Sequence, residues 1–483
     1  MKKTKASKPK EMTIKRALFG FFIPILILAA LLIVGASVAI AALVAVFALL
    51  MFGLYMGYSW ESLENSMGEG VKSITIAALV MLLVGSMVAS WMSSGSIPTM
   101  LYYGLKIISP TVFLPTSFIL TAIMSFVTGT SWGSISTIGV VLSGMAVGLG
   151  IPIPLAAGAI ISGSLFGDKM SPLSDTTLLA AATAEVSVFE HIKSMWYTTL
   201  PGFVISLVLF TILGLNASGS IDKAAITEML SGLSSNFNIS LFTLIPVVLV
   251  LVLSAKQVPA LIAFGSGIVS AFLISLIMQG RNFAENITYL MSGFSLDTGV
   301  DSINTLVNRG GFESMLSLVA IILVFGMMSG LFTETKVLTV LVSSMTNRLK
   351  NPANLLSGVM LSSLLLAFVG GQYPAIAIPG VAFKEATDDA DIHRAVLSRT
   401  LEDVGTMTAP LIPWNPWTIG YGVLLSTTPQ AFIPYVFLCI LSPIVALINN
   451  YLGIGLYRRN DEFKYRPFWR RKKVATATSD QSD

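Results

Sequence analysis

Charge is what this sequence has least of. Only 11% of its 483 residues are Asp, Glu, Lys or Arg, whereas a soluble globular domain carries about 25%. With 54% hydrophobic residues and a mean hydropathy of +0.80, a soluble enzyme with one buried core is excluded. Cysteine is nearly absent. The single Cys439 rules out an intrachain disulfide or a cysteine metal site, and inside a late apolar run it reads as a buried structural thiol. The two histidines, His191 and His393, form no metal-ligand cluster and fall at the ends of predicted spans, where surface positions are expected. Alternating short strands are missing as well, which excludes an outer-membrane barrel.

What the chain does have is continuous apolar runs rich in Leu, Ile, Val and Ala, from Phe19 to Leu456. Their length, about 17 to 25 residues, is what a helix needs to cross the hydrocarbon of a bilayer. The basic head "MKKTKASKPKEMTIKR" and the run after it resemble a secretory signal, but a second run from Ala36 follows at once, so we read a retained first span. Basic residues concentrate in the two tails, 1–16 and 458–483. Beside so much membrane they follow the positive-inside rule, placing both termini in the cytoplasm and making the lipid bilayer, not nucleic acid, the partner.

One half of the chain is a drifted copy of the other. "FVTGTSWGSISTIG" from Phe126 has a counterpart in "FVGGQYPAIAIPG" from Phe368; "KSITIAALVMLLVGSM" from Lys72 aligns with "ESMLSLVAIILVFGMM" from Glu313; and "AIISGSLFGDKMSPL" from Ala159 aligns with "AVLSRTLEDVGTMTAPL" from Ala395, setting Pro172 on Pro410. Each half reads as two spans, at 17–34 and 36–57 (237–254 and 257–279), and a third at 73–93 (313–334). A short helix follows at 97–108 (336–349), then a re-entrant hairpin turning at Gly129 (Gly371). A span broken by Gly and Pro at 152–185 (391–424) precedes a final span ending at 214 (457). Five crossings per half, or seven if the limbs of the hairpin cross, is an odd number, so the copies face opposite ways. The expected fold is therefore an all-α polytopic membrane protein of two inverted repeats, 17–214 and 237–457, joined by a loop at 215–236, with re-entrant hairpins and interrupted helices.

Interruptions are tolerated at membrane depth only where the freed backbone is buried in protein or lines a cavity, and paired interruptions point to a transporter's binding site. The first half supplies oxygen ligands there: Thr130, Ser131 and Ser134 at one break, Ser174 and Thr176 at the other. With an acidic side chain they suit an alkali ion rather than zinc or copper. Ser and Thr can equally bond back to their own helical turn. Asp168 and Asp175 are the sharper signal, because an ionisable group in mid-membrane costs about 2.5–3.5 kcal/mol. Gly167 and Pro172 imply that the segment unwinds between them, and Lys169 can neutralise one, leaving the other, with Asp175 favoured, to exchange Na+ and protons. In the second half Arg399, Glu402 and Asp403 are spaced for helical ion pairs or substrate contact. Thr406 and Asn415 are weaker ligand candidates, and Trp414 and Trp417 read as interfacial belt residues.

The string "SGSLFGDKMSPLSDTT", with "GTSWGS" upstream, closely resembles the signature region of the NhaC-type Na+/H+ antiporter family. That resemblance implies exchange of Na+ for protons across a bacterial plasma membrane, with Na+ at Asp175 and Asp168, no cofactor, no enzymatic activity, and a homodimer working by an elevator movement. Some relatives couple organic acids such as malate and lactate to the same ions, for which Arg399 is the natural carboxylate partner. An intramembrane hydrolase using the two aspartates as acid and base is the rival from another class, and an ion channel is the other.

Overall fold

The computed structural model describes residues 9–217, 223–299, 301–346, 349 and 351–459. The first half runs α1 (Ile14–Ile33), α2 (Val38–Tyr55), α3 (Trp60–Ser93), α4 (Ser96–Ile107), α5 (Pro110–Thr128) and α6 (Ser131–Ser134), which continues through a π-helical turn into α7 (Val140–Gly148). Then come α8 (Ile153–Met170), α9 (Asp175–Thr183) and α10 (Val188–Ala217). A connecting helix, α11 (Lys223–Asn236), precedes the second half: α12 (Ile245–Ala255), α13 (Ala260–Met278), α14 (Phe283–Ser292), α15 (Asp301–Val307), α16 (Leu316–Glu334) and α17 (Val337–Thr346). The order closes with α18 (Pro352–Gly370), α19 (Gln372–Asp389), α20 (Arg394–Gly405), α21 (Pro416–Leu425), α22 (Pro429–Phe432) and α23 (Phe437–Leu452).

Among the described residues no strand occurs, and nine helices are long and apolar enough to cross a membrane, or up to 11 if each bent pair is one span. Their outward faces expose Leu26, Phe47, Ile76, Val208, Val269 and Ile277, as a lipid-facing surface requires. The joining segment at 215–236, expected as a loop, holds α11 instead. Between the second and third spans of the second half, residues 280–313 hold α14, begun by a reciprocal Asn282–Glu285 capping box, and α15. α3 is also longer than its apolar core, beginning at Trp60 under a Ser59 cap.

Contacts define two ends of the bundle. Lys10 bonds the end of α2 at Met56, Ser62 at the start of α3 bonds Glu334 at the end of α16, and Arg459 reaches Asp388 at the end of α19. This is the proximal end; both described ends of the chain lie there. From it α3 and α16 run antiparallel, with Gly70 against Gly326 and Gly85 against Gly311. A Cβ on Gly330 would lie 2.0 Å from the Ser66 carbonyl oxygen and one on Gly70 2.1 Å from that of Gly326, so glycine sets how closely the helices approach.

α5 and α8 lie side by side and parallel, Gly163 beside Phe118 and Gly167 beside Ala122, while the short turn at 149–152 sends α7 antiparallel to α8. α5 and α7 are therefore two limbs of a hairpin whose tip is Gly129, at φ +70 and with no room for a Cβ beyond Leu173. Gly371, at φ +74, turns the second hairpin between α18 and α19. Each tip meets a broken helix: α8 stops at Met170 and α9 resumes at Asp175, while α20 stops at Gly405 and α21 resumes at Pro416.

Candidate functional site

Asp168 stands in the last turn of α8 and is only 4% exposed. Its Oδ1 accepts from the Ser174 hydroxyl at 2.6 Å, across the break, and its Oδ2 accepts from the Ser131 amide at 3.1 Å, at the hairpin tip. That amide is free because Ser131 opens α6, where N–H groups lack an intrahelical acceptor. At the other side of the break the Thr177 hydroxyl donates to the end carbonyls of Asp168 and Lys169, as a helix C-terminus in a dry interior requires. The Asp168 carboxylate is thus held by neutral donors, with no cation in ion-pair contact among the described residues.

Lys169 points the other way. It does not neutralise Asp168 or Asp175, as expected from their proximity in sequence, but pairs with Asp403 of α20 and donates to Ser442 at 2.8 Å. Thr198 and Ser442 complete the Asp403 Oδ1 shell at 2.8 and 3.2 Å. Every member is fully buried, so this knot ties α8, α10, α20 and α23 together.

The expected ion pairs within α20 do not form. Glu402 faces His191 of α10, whose Nε2 lies 2.7 Å from Glu402 Oε2 and whose Nδ1 lies 2.8 Å from the Ser398 hydroxyl. His191, expected at the surface, is fully buried because α10 packs this end of its polar stripe on α20. Ser398 donates its own proton to the Ala395 carbonyl, so His191 Nδ1 donates to Ser398. One proton is then shared between His191 Nε2 and Glu402 Oε2. Glu402 Oε1 accepts from Thr176 at 3.1 Å, with the Thr177 hydroxyl, already given to the carbonyls at the end of α8, 3.3 Å away, and Thr176 lies 3.0 Å from Ser174. Asp168, Ser174, Thr176 and Glu402 therefore form one chain of hydroxyls between two carboxyl groups. It can be polarised either way, Thr176 to Ser174 to an ionised Asp168, or a protonated Asp168 through Ser174 and Thr176 to Glu402.

Asp175 opens α9 and is exposed, its Oδ1 accepting from the Thr176 amide at 2.9 Å and its Oδ2 from the Tyr373 hydroxyl at the tip of the second hairpin. The Ser131 hydroxyl lies 3.1 Å from that of Tyr421, whose ring packs on Trp132 at 4.7 Å. Trp414 and Trp417 belong to this interior and not to an interfacial belt: Trp414 donates to the Phe368 carbonyl, and Trp417 packs against Trp132 and Tyr373.

The remaining candidates divide. Ser134 bonds back to its own turn, and Thr130 contributes a carbonyl to Thr128. Thr406 receives Gln372 at its carbonyl and leaves its buried hydroxyl without a partner, while Asn415 caps α21 and bonds the Ala367 carbonyl. Arg399 is buried, gives its Nη1 to the Ser194 and Gly455 carbonyls, and leaves its buried Nε without a partner. His191, Tyr373 and Tyr421 were missed as site residues. Only His191 left a signal, the small polar stripe His191, Ser194, Thr198 and Ser206 at helical spacing.

Long apolar helices enclosing unwound, hydroxyl-bearing backbone around buried carboxylates define a polytopic membrane transport protein. Known proteins narrow that class: the model of the Na+/H+ antiporter family matches residues 10–188 and again 163–454. The chain belongs to the Na+/H+ antiporter family. It is 36% identical to the malate-2H(+)/Na(+)-lactate antiporter of Bacillus subtilis over 86% of this chain and 90% of that protein. To the Na(+)/H(+) antiporter NhaC of Alkalihalophilus pseudofirmus it is 36% identical over 84% and 88%. To the arginine/ornithine antiporter ArcD of Halobacterium salinarum it is 35% identical over 84% of each.

Proposed function

We propose that this antiporter exchanges Na+ for protons at Asp168, with the proximal end facing the cytoplasm of a bacterium and the two halves acting as repeats of opposite orientation. The observation that carries the site is the Asp168 carboxylate, buried where a broken helix meets a hairpin tip and balanced by no cation among the described residues. Na+ taken up there gains carboxylate, hydroxyl and backbone oxygens, the hard ligands it prefers, and displaces the proton that otherwise neutralises the group. Competition of the two ions for one carboxylate makes the exchange obligatory. Asp175, exposed beside Tyr373, serves as the first carboxylate an arriving ion meets.

The hydroxyls of Ser174 and Thr176 lead the departing proton to Glu402 and His191, toward the proximal end where α10 begins. Support for sidedness comes from the basic tails and from the shared end of Lys10 and Arg459. Purified protein in vesicles tests the reading: an imposed Na+ gradient should move protons oppositely, and Asp168→Asn should abolish this while Asp168→Glu retains part of it. Proton movement in Asp168→Asn equal to the parent would rule the site out.

A further inference from the structure

One wall of the Asp168 cradle is backed by the other half of the protein. Ser131, whose amide holds Asp168 Oδ2, turns its hydroxyl to that of Tyr421 on α21, 3.1 Å away. Both side chains are sealed from solvent, and the Tyr421 hydroxyl has no other partner among the described residues. A buried O–H needs an acceptor, so Tyr421 donates and Ser131 accepts. That leaves the Ser131 proton for the Asp168 carboxyl group, which the Ser131 side chain also faces, and leaves one lone pair of its oxygen open.

Tyr421 is itself held. Its ring packs on Trp132, next to Ser131 at the hairpin tip, with centroids 4.7 Å apart. Trp132 in turn meets Trp417 at the start of α21, and a Cβ on Gly420 would lie 2.3 Å from the Trp132 ring, so the indole lies directly on the α21 backbone. At the other end of α21 the Leu425 carbonyl accepts from Ser143 of α7 at 2.8 Å. α21 is thus tied to the hairpin along its length, and the phenol oxygen stands behind Ser131. The other hydroxyl at the cradle, Ser174, is backed by a smaller side chain, Thr176, at 3.0 Å.

We infer that Tyr421 is a positioning residue that sets ion selectivity: by standing behind Ser131 it keeps the gap beside Asp168 at the size of Na+ and closed to K+. The role rests on ion exchange at Asp168 and adds the choice of ion. An oxygen cage discriminates between cations by its size, its ligand number and its flexibility. K+, the larger ion, needs Ser131 to step back from Asp168. Interiors are packed as densely as crystals, so a side chain backed by a buried phenol has no space to step into. Without the phenol oxygen a gap opens behind Ser131, its hydroxyl loses the donor that orients it, and a second rotamer becomes available. Tyr421 thus acts on the ion through a ligand and does not touch the ion.

Full-length protein in vesicles tests this by proton movement driven by a Na+ or a K+ gradient, compared as the ratio of kcat/KM for the two ions. The parent should favour Na+. Tyr421→Phe, which keeps the ring on Trp132, should lower the ratio about tenfold, the upper scale of one buried hydrogen bond, chiefly by admitting K+. Ser131→Ala should lower the ratio as well, and adding Tyr421→Phe to it should change nothing further, as for two residues acting in series. Lost stability alone would lower both rates together and leave the ratio where it was. An unchanged ratio in Tyr421→Phe or in Ser131→Ala, losses that add in the double variant, or an active parent that does not prefer Na+ overturns the role of Tyr421 and leaves exchange at Asp168 standing. A parent that moves no protons with either ion overturns that exchange, and this role with it.

Discussion

The two broken helices share a backbone plan and use opposite side-chain strategies. In the first, α8 ends on Asp168, and Ser174 and Ser131 hold its carboxylate with neutral donors drawn from its own half. In the second, α20 carries Glu402 and Asp403 just before the break, and both are balanced by the first half: Asp403 by Lys169, Glu402 by His191 and Thr176. Compensated carboxylates tie the halves to each other, and the uncompensated Asp168 is the one proposed to take up a mobile ion. A carboxylate whose charge is already paired in a dry interior, as that of Asp403 is by Lys169 although its Oδ2 accepts no hydrogen bond, has little reason to bind Na+, whereas a lone buried carboxylate must bind either a cation or a proton.

The largest effect that would break this contrast is on transport. Asp168→Asn should reduce Na+-driven proton flux to that of empty vesicles, while Asp403→Asn, which removes a carboxylate of the other kind, should act through stability. Next comes the relay. Glu402→Gln should slow exchange about 100-fold, the scale of losing a positioned proton-transfer group, with apparent Na+ affinity unchanged in a flux titration. An equal loss of affinity would move Glu402 into the Na+ site and erase the distinction between the breaks.

The compensated knot makes a stability prediction. Lys169→Met alone should destabilise the protein by about 3–5 kcal/mol by stranding Asp403, and the double variant Lys169→Met, Asp403→Leu should recover much of it. Thermal unfolding in detergent reads both; no recovery would show that the ion pair is not what the two residues contribute. The smallest effect lies at the proximal surface, where Glu185 accepts from Lys384 and pairs with Arg394. Lys384, and then Arg394, hold Glu185 below its ordinary value of 4.5, so its stabilisation is complete above that pH and disappears as pH falls below it. Glu185→Gln should therefore melt slightly earlier than the parent at neutral pH, and the two should converge on acidification.

Much of this architecture was legible in the sequence. Apolar runs and the Gly129 and Gly371 turns are local patterns, and the charge of Asp168 and Asp175 stands out because their surroundings are apolar. Partner choice was not legible. Lys169 lies one residue from Asp168, yet successive helical residues point about 100° apart, and its partner Asp403 is 234 positions away. His191 was misjudged for a similar reason: its place near a helix end suggested water, while α20 covers it there.

Sodium binding measured together with proton release tests the central claim most directly. Detergent-solubilised parent protein in weakly buffered solution should bind 22Na+ and release protons in step, with Na+ affinity falling as pH is lowered. In Asp168→Asn both the bound Na+ and the released protons should vanish, while in Asp403→Asn protein that remains folded both should persist. Undiminished Na+-linked proton release from Asp168→Asn would contradict the account.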